Sequence, residues 1–503
     1  MMKTIFTLVT LLLTCIATAQ TYSFEQKLQS PDPAASERYG SKVAVDGDIM
    51  VVTDTRDRQD LIGQTAQYIE GAAYVYRRNA NGVWVFEQKL RPVTVDRFSN
   101  YGNEIAIKNG IIAVGAPSHA RNNNATGAPS ITAAGSVFLY TYDSNAMQWI
   151  ERAQLVAPVR EQNALYGASL AFNDSNELFV GEYNRIATNP IVSRSGQVYV
   201  YDVNNSGIAT LKQIIANPTP NPTDLFGFSI AAHGSAIAIG AIGENLDAQE
   251  LNDIDDAGAV YIYDKDTTTG IYNISQKIVS GTRVQDAEFG NAVAIQNDVL
   301  IAGATNESLP LGNGFSRNGG AAYAFKKMNG TWQQSDRFLP QNIVATGLFG
   351  YSVAIHNNIA LVGFIQGLTP FNGSTRSTGT VTMYTLDPTS GTSSQNTNIE
   401  TPLPEFTSFY GGSIAFQGND VIIGALGDTG DLQGVYDPNK AGAVYTFSLS
   451  STASIHQQAI TITKVYPNPA TNLLHIDTPT RIIYTISNLQ GQVLLKDSYV
   501  PAG

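Results

Sequence analysis

Apolar and polar positions alternate along this chain in short bursts that recur at regular intervals. Lys42-Val43-Ala44-Val45, Glu104-Ile105-Ala106-Ile107, Ser169-Leu170-Ala171-Phe172 and Ser229-Ile230-Ala231-Ala232 share one pattern. Ala292-Val293-Ala294-Ile295, Ser352-Val353-Ala354-Ile355 and Ser413-Ile414-Ala415-Phe416 repeat it. Alternation of period two predicts a strand. A tight turn follows, such as Asp46-Gly47-Asp48, Lys108-Asn109-Gly110 or His233-Gly234-Ser235, with residues that tolerate positive φ. The next run is almost wholly apolar, as at residues 111–114, 236–239, 299–302 and 421–423, which predicts a strand covered on both faces. It ends in glycine at Gly115, Gly181, Gly240, Gly303, Gly363 and Gly424, whereas the first unit has Thr53-Asp54. A third strand starts at a glycine and spaces aromatics two apart, as in Gly71-Ala72-Ala73-Tyr74-Val75-Tyr76 and Gly258-Ala259-Val260-Tyr261-Ile262-Tyr263. A fourth often opens with tryptophan, at residues 84–90, 149–155 and 332–339.

Seven aromatic-glycine pairs open these units: Tyr39-Gly40, Tyr101-Gly102, Tyr166-Gly167, Phe226-Gly227, Phe289-Gly290, Phe349-Gly350 and Tyr410-Gly411, at steps of 60 to 65 residues. Such a period marks a repeat architecture. Seven units of four strands predict an all-β fold, a seven-bladed β-propeller. Phe24-Glu25-Gln26-Lys27-Leu28 repeats Phe86-Glu87-Gln88-Lys89-Leu90 letter for letter, yet precedes the first unit, and the seventh unit runs out near Ser448. Residues 22–29 are therefore expected to supply the outer strand of the seventh blade and close the ring, which removes open strand edges.

Composition narrows the function. Charged residues make up only 14%, against 45 glycines and 24 tyrosines, which fits a sheet protein rich in turns. The formal charge of -12 argues against nucleic acid as a partner, because binding a polyanion needs a basic footprint. Lys3, the apolar residues 5–16 and Ala17-Thr18-Ala19 before Gln20 read as a signal peptide cleaved between Ala19 and Gln20. That apolar run is too short to span a membrane. Lipidation at Cys15, the single cysteine, fits less well after Thr14. The processed chain then has no disulfide, thiolate metal site or thiol nucleophile.

An aromatic-glycine pair, a two-stranded hairpin and a Gly-Ala-Pro-like close, as at Gly115-Ala116-Pro117, resemble the FG-GAP repeat of integrin α-subunit propellers and of exported bacterial proteins. The resemblance implies calcium in an Asp-x-Asp-x-Asp-Gly-like loop between the first two strands. Here Asp46-Gly47-Asp48 is too short and Asn173-Asp174-Ser175-Asn176-Glu177 is a fragment, so no cofactor or metal is expected. The C-terminal segment, with Tyr466-Pro467-Asn468-Pro469 and later Gly491-Gln492-Val493, resembles the type A sorting domain of the Bacteroidetes type IX secretion system. That domain is a small β-sandwich, and the resemblance implies the secretion machinery as a partner and a secreted or cell-surface destination. The expected domains are a signal peptide (1–19), the propeller (20–449), a linker (450–463) and a sorting domain (464–503). The sorting domain is expected to be partial, since the resemblance implies further strands beyond Gly503.

Long connections between second and third strands fall on one face of the ring, and binding is expected there because loops on a rigid scaffold carry function. The acidic segment 244–256 offers Glu244, Asp247, Glu250, Asp253, Asp255 and Asp256 to a cation or a basic partner, although a solvated loop is the plainer reading. Asp428, Asp431 and Asp437 form a weaker set, and Tyr183, Phe315, Phe371 and Tyr436 are candidate sugar-stacking aromatics. No two of the five histidines share a plausible site, and no hydrolase or metalloprotease motif is present. The leading expectation is a monomeric, non-enzymatic module that binds protein or glycan in adhesion or nutrient capture. A polysaccharide lyase or hydrolase with its site at the ring centre and a structural scaffold stay open beside it.

Overall fold

The computed structural model describes residues 20–33, 36–58, 70–93, 96, 98–120, 130–311, 314–316, 318–371, 374–404, 408–430 and 442–451, together with strands at 464–466, 475–477, 482–487 and 493–500. The chain divides into two compact units, one running from Tyr22 to Ser448 and the other holding the C-terminal strands. The first unit is a seven-bladed β-propeller of four-stranded antiparallel blades. Blade four is typical: Phe226–His233, Ala236–Ala241, Ala259–Lys265 and Tyr272–Ile278 pair in chain order. Among the described residues three blades add a small hairpin between their second and third strands, at 187–192, 309–316 and 368–377. In the C-terminal unit the described strands form two antiparallel pairs, Lys464–Tyr466 with His475–Asp477 and Ile482–Ser487 with Val493–Val500.

The predicted closure is realised. Gln20–Leu28 is the outer strand of blade seven, beside Ala443–Ser451, Asp420–Ala425 and Tyr410–Gln417. The duplicated letters do the same work in both places. The Gln26 side chain gives and takes a hydrogen bond with the backbone of Trp84 (3.1 Å each), and Gln88 does so with Trp149 (3.0 and 2.7 Å). An amide side chain thus acts as one rung of a ladder between neighbouring outer strands.

Hydrophobic cores lie between blades. Val51 and Val75 of blade one pack with Tyr101, Ile112 and Phe138 of blade two. The other side of blade one, with Met50, Val52 and Tyr74, packs on Leu28, Ile422 and Val444 of blade seven. The second strands are buried along all or nearly all of their length, as at Ile111–Ala116 and Val299–Ala304. Recurring glycines follow from this crowding. A Cβ on Gly240 would lie 2.1 Å from the Gly290 carbonyl oxygen of the next blade. At the closing junction Gly442 (φ +89°) bridges to Tyr39, where a Cβ would lie 2.0 Å from the Tyr39 oxygen.

The hairpin tips carry a second set of links. Asp46, Asp174, His233, Gln296 and Gln417 each accept a hydrogen bond from a backbone N–H in the next blade's turn, at Asn109, Gly234, Asn297, Asn357 and Gly47. The last of these crosses from blade seven to blade one.

Candidate functional site

The acidic residues nominated by the sequence divide into two kinds. Glu244 and Asp428 are fully buried and serve as internal anchors. Tyr261 donates to Glu244 at 2.6 Å and Lys277 lies 3.4 Å from it. Tyr445 donates to Asp428 at 2.5 Å, and Lys27 of the closing strand pairs with it at 3.1 Å. The motif recurs with Tyr74, Asp57 and Lys89 in blade one and Tyr323, Glu307 and Arg337 in blade five. Blade three uses Tyr199 and Gln197 on Glu182. Burial pushes the Glu182 carboxyl up to about 7. The acceptor stands four residues beyond the strand-two glycine in Gly240…Glu244, Gly303…Glu307 and Gly424…Asp428. That phase was readable, and it separates these acids from an exposed cluster.

Blade two holds the same place with a histidine, a serine and a glutamine. His119 Nδ1 lies 3.1 Å from the Ser136 hydroxyl, to which Gln154 donates at 2.9 Å. All three side chains are buried, so this Ser–His pair is a blade anchor and not a nucleophile with its base.

The rest of segment 244–256 is a folded loop. Asp247 accepts from the backbone N–H groups of Gln249 and Leu251 at 2.9 Å, and the Leu251 bond chiefly holds its carboxyl below the usual range. Lys277 pairs with Glu250 at 2.9 Å, and Arg283 donates to the Asn252 carbonyl at 2.5 Å and to that of Asn245. Asp253, Asp255 and Asp256 remain exposed. Glu244, Asp247 and Asp428 are therefore engaged in bonds within the fold, while Asp253, Asp255 and Asp256 stay open to solvent. Among the described residues no group of three or more His, Cys, Asp or Glu is placed to hold a metal ion. Asp431, Asp437, Tyr436, Ala19, Pro467, Asn468 and Pro469 lie outside the described residues, as do the side chains of Gln20, Phe315, Phe371 and Tyr466.

A different site forms at the axis, where the starts of all seven innermost strands line a bowl of about 480 Å³. These strand starts follow the inter-blade loops, so the bowl opens on the long-loop face. Tyr183 and Phe228 form one aromatic wall, with ring centroids 5.1 Å apart. Tyr351, 44% exposed, lines the wall on the far side of blade five, which contributes Glu288, Asn291 and Thr305 between them. Opposite stands an ion pair between Lys42 and Glu104 at 2.7 Å. Burial lowers the Lys42 ammonium, but the Glu104 carboxylate and Tyr351 outweigh it, so it sits above its ordinary pKa and stays charged. Burial, chiefly, raises the Glu288 carboxyl, and Asp256 and Asp286 add to the effect. Ser169, Ser229 and Ser352, which also line the bowl, donate to glycine carbonyls of the next blade at 2.6 to 2.7 Å. A second cavity of about 300 Å³ lies further along the innermost strands, lined by Ala, Val and Ile with Phe172 and Phe416. Val43, Val293 and Val353 line both. Of the aromatics nominated earlier, Tyr183 is in the bowl. Phe228, Tyr351, Lys42 and Glu104 were missed because strand periodicity does not say which residues face a shared axis.

Residues 22–76 match the family described as FG-GAP repeat, and residues 464–502 match the secretion system C-terminal sorting domain. The chain is a seven-bladed propeller that carries an FG-GAP repeat and a C-terminal sorting domain of the type IX kind. The matched FG-GAP span begins in the outer strand of blade seven and ends in the third strand of blade one, so the sequence repeat is offset from the blade by one strand. The sorting domain marks the propeller for export to the cell surface or the extracellular space and implies contact with the secretion machinery. No helix among the described residues is long and apolar enough to cross a membrane. No curated protein matches the chain. A solved structure described as the crystal structure of RRP9 WD40 repeats is similar at 10% identity, covering 83% of this chain and 99% of that one with a TM-score of 0.46.

Proposed function

We propose that this exported propeller is a non-enzymatic binding module that takes a protein or glycan ligand on its long-loop face, with the axial bowl as the seat. The observation that carries this reading is the bowl itself: about 480 Å³, polar at its rim, and walled by Tyr183, Phe228 and Tyr351. Concave sites with a few convergent polar groups and aromatic walls are the usual form of ligand pockets. The rigid ring supports pre-organisation, because Phe228 and Tyr351 belong to innermost strands paired within their blades and Tyr183 directly follows the second strand of blade three. The buried Ser136–His119 pair lends no support to hydrolysis.

The test compares the full chain with an Ala292→Trp variant, which fills the bowl from a half-buried position. Labelled protein is applied to arrays of envelope polysaccharides and extracellular proteins, and thermal unfolding checks that both chains fold. Binding by the parent and its loss in the variant are expected. Equal binding by both chains, or release of new reducing ends from any glycan, would overturn the reading.

A further inference from the structure

Resting on the bowl as the binding seat, we infer that its ligand is the end or branch tip of a neutral glycan, and that uronate-bearing chains are excluded. The first argument is chemical. A sugar ring has an apolar C–H face and a rim of hydroxyls, so it suits an aromatic plane beside groups that both give and accept hydrogen bonds. The bowl supplies that combination. Tyr183 and Phe228 form one wall, Tyr351 another, and blade five places Asn291 and Thr305 between them. Tyr351 is 44% exposed. Lys42 spends one of its three donors on Glu104.

Charge sets the class of sugar. The Lys42 ammonium is neutralised by Glu104 at 2.7 Å. Arg194, outside the bowl's lining, donates to Asn184 at 2.7 Å and also acts on Asp256. Among the described residues that line the bowl the acids Glu104 and Glu288 outnumber the single cation Lys42, and Asp256 and Asp286 act on Glu288 with like charge. A carboxylate entering the bowl therefore meets a net negative field in a partly desolvated site, where repulsion is strongest. A neutral sugar meets no such barrier.

The waist explains why an end is recognised and not the middle of a chain. Below the polar lining the axis becomes apolar at Val43, Val293 and Val353. Sugar hydroxyls pushed past it would lose water without gaining partners, at a cost of roughly 1–3 kcal/mol for each group. The ligand enters from the long-loop face and stops at the valines.

Isothermal titration of the full chain decides the matter with four probes: linear neutral gluco- and manno-oligosaccharides, oligogalacturonate of equal length, and a cyclic glucan that has no ends. At least one linear neutral probe is expected to bind, and the uronate and the cyclic glucan to bind at least tenfold more weakly. Tyr351→Ala should weaken the neutral probe at least tenfold, Tyr351→Phe should recover most of that loss through stacking, and Glu288→Gln should admit the uronate. Equal binding of linear and cyclic glucans, a preference for the uronate, or an unaltered Tyr351→Ala chain of unchanged thermal midpoint would overturn the inference. A blank panel would also overturn it. If Ala292→Trp still abolished binding to an immobilised protein, the binding-module reading would stand while the glycan inference fell.

Discussion

Three buried carboxyls, Asp54, Glu182 and Asp224, are each pushed up to about 7, chiefly by burial. Each is at most 1% exposed. Thr53 stands where other units have the strand-two glycine, and Asp54 beside it accepts from the backbone N–H groups of Arg38 and Arg56 at 2.9 and 2.8 Å. A raised carboxyl binds its proton more tightly in the folded chain than in the unfolded one. Folding then takes up protons between about pH 4 and 7, and stability falls as pH rises through that window. Glu177 works in the other direction. Burial raises it, but Lys212, Lys265, Tyr272 and Asn173 outweigh that and hold it down to about 2. Its contribution is complete above the ordinary carboxyl range and lost as pH falls through about 2. Thermal midpoints of the parent chain should fall between pH 4.5 and 7.5 and level off above that. Asp224→Asn should make this slope shallower, and a variant with the parent's slope would rule out Asp224 as a source.

Strands in this ring are held by their own blade and by the next. The closing strand Gln20–Leu28 shows it well. It pairs with Ala443–Ser451, places Lys27 on the buried Asp428, and reaches through Gln26 to Trp84 in blade one. Removing residues 20–28 would leave Asp428 and Tyr445 buried without their cation and expose the edge of the third strand. Loss of one member of a buried pair costs about 3–5 kcal/mol, and an open edge invites pairing between chains. A chain lacking these residues should melt at a clearly lower temperature and form oligomers by light scattering. A synthetic peptide covering residues 20–30 should restore both properties. A truncated chain that stays monomeric with the parent's thermal midpoint would show that closure adds nothing. The closing role was legible because Phe24-Glu25-Gln26-Lys27-Leu28 copies a segment whose place in its own unit was known. The anchoring role of Lys27 was not, since Asp428 lies about 400 residues away in sequence.

At the scale of the molecule, cores shared between blades make the ring one cooperative body, because each blade buries one face on either neighbour. The sorting domain adds an address to that body. A chain ending at residue 449 should fold but stay inside the cell envelope, and fractionation with an antibody to the propeller would find it there. A truncated chain at the cell surface or in the medium would contradict the address. Sequence by itself determined the blade count, the strand roles and the closure, because period-two patterning, turn glycines and duplication are local features that repeat in register. It also carried the sorting signal, whose letters are contiguous. Tertiary structure alone decided the site. Glu244 and Asp428 look like surface acids in a polar loop, yet a tyrosine and a lysine from other strands draw them inside. Lys42, Glu104, Phe228 and Tyr351 read as ordinary strand residues, yet the ring's symmetry turns them toward one axis. Convergence of that kind depends on how seven blades are arranged in space, and no stretch of neighbouring residues encodes it.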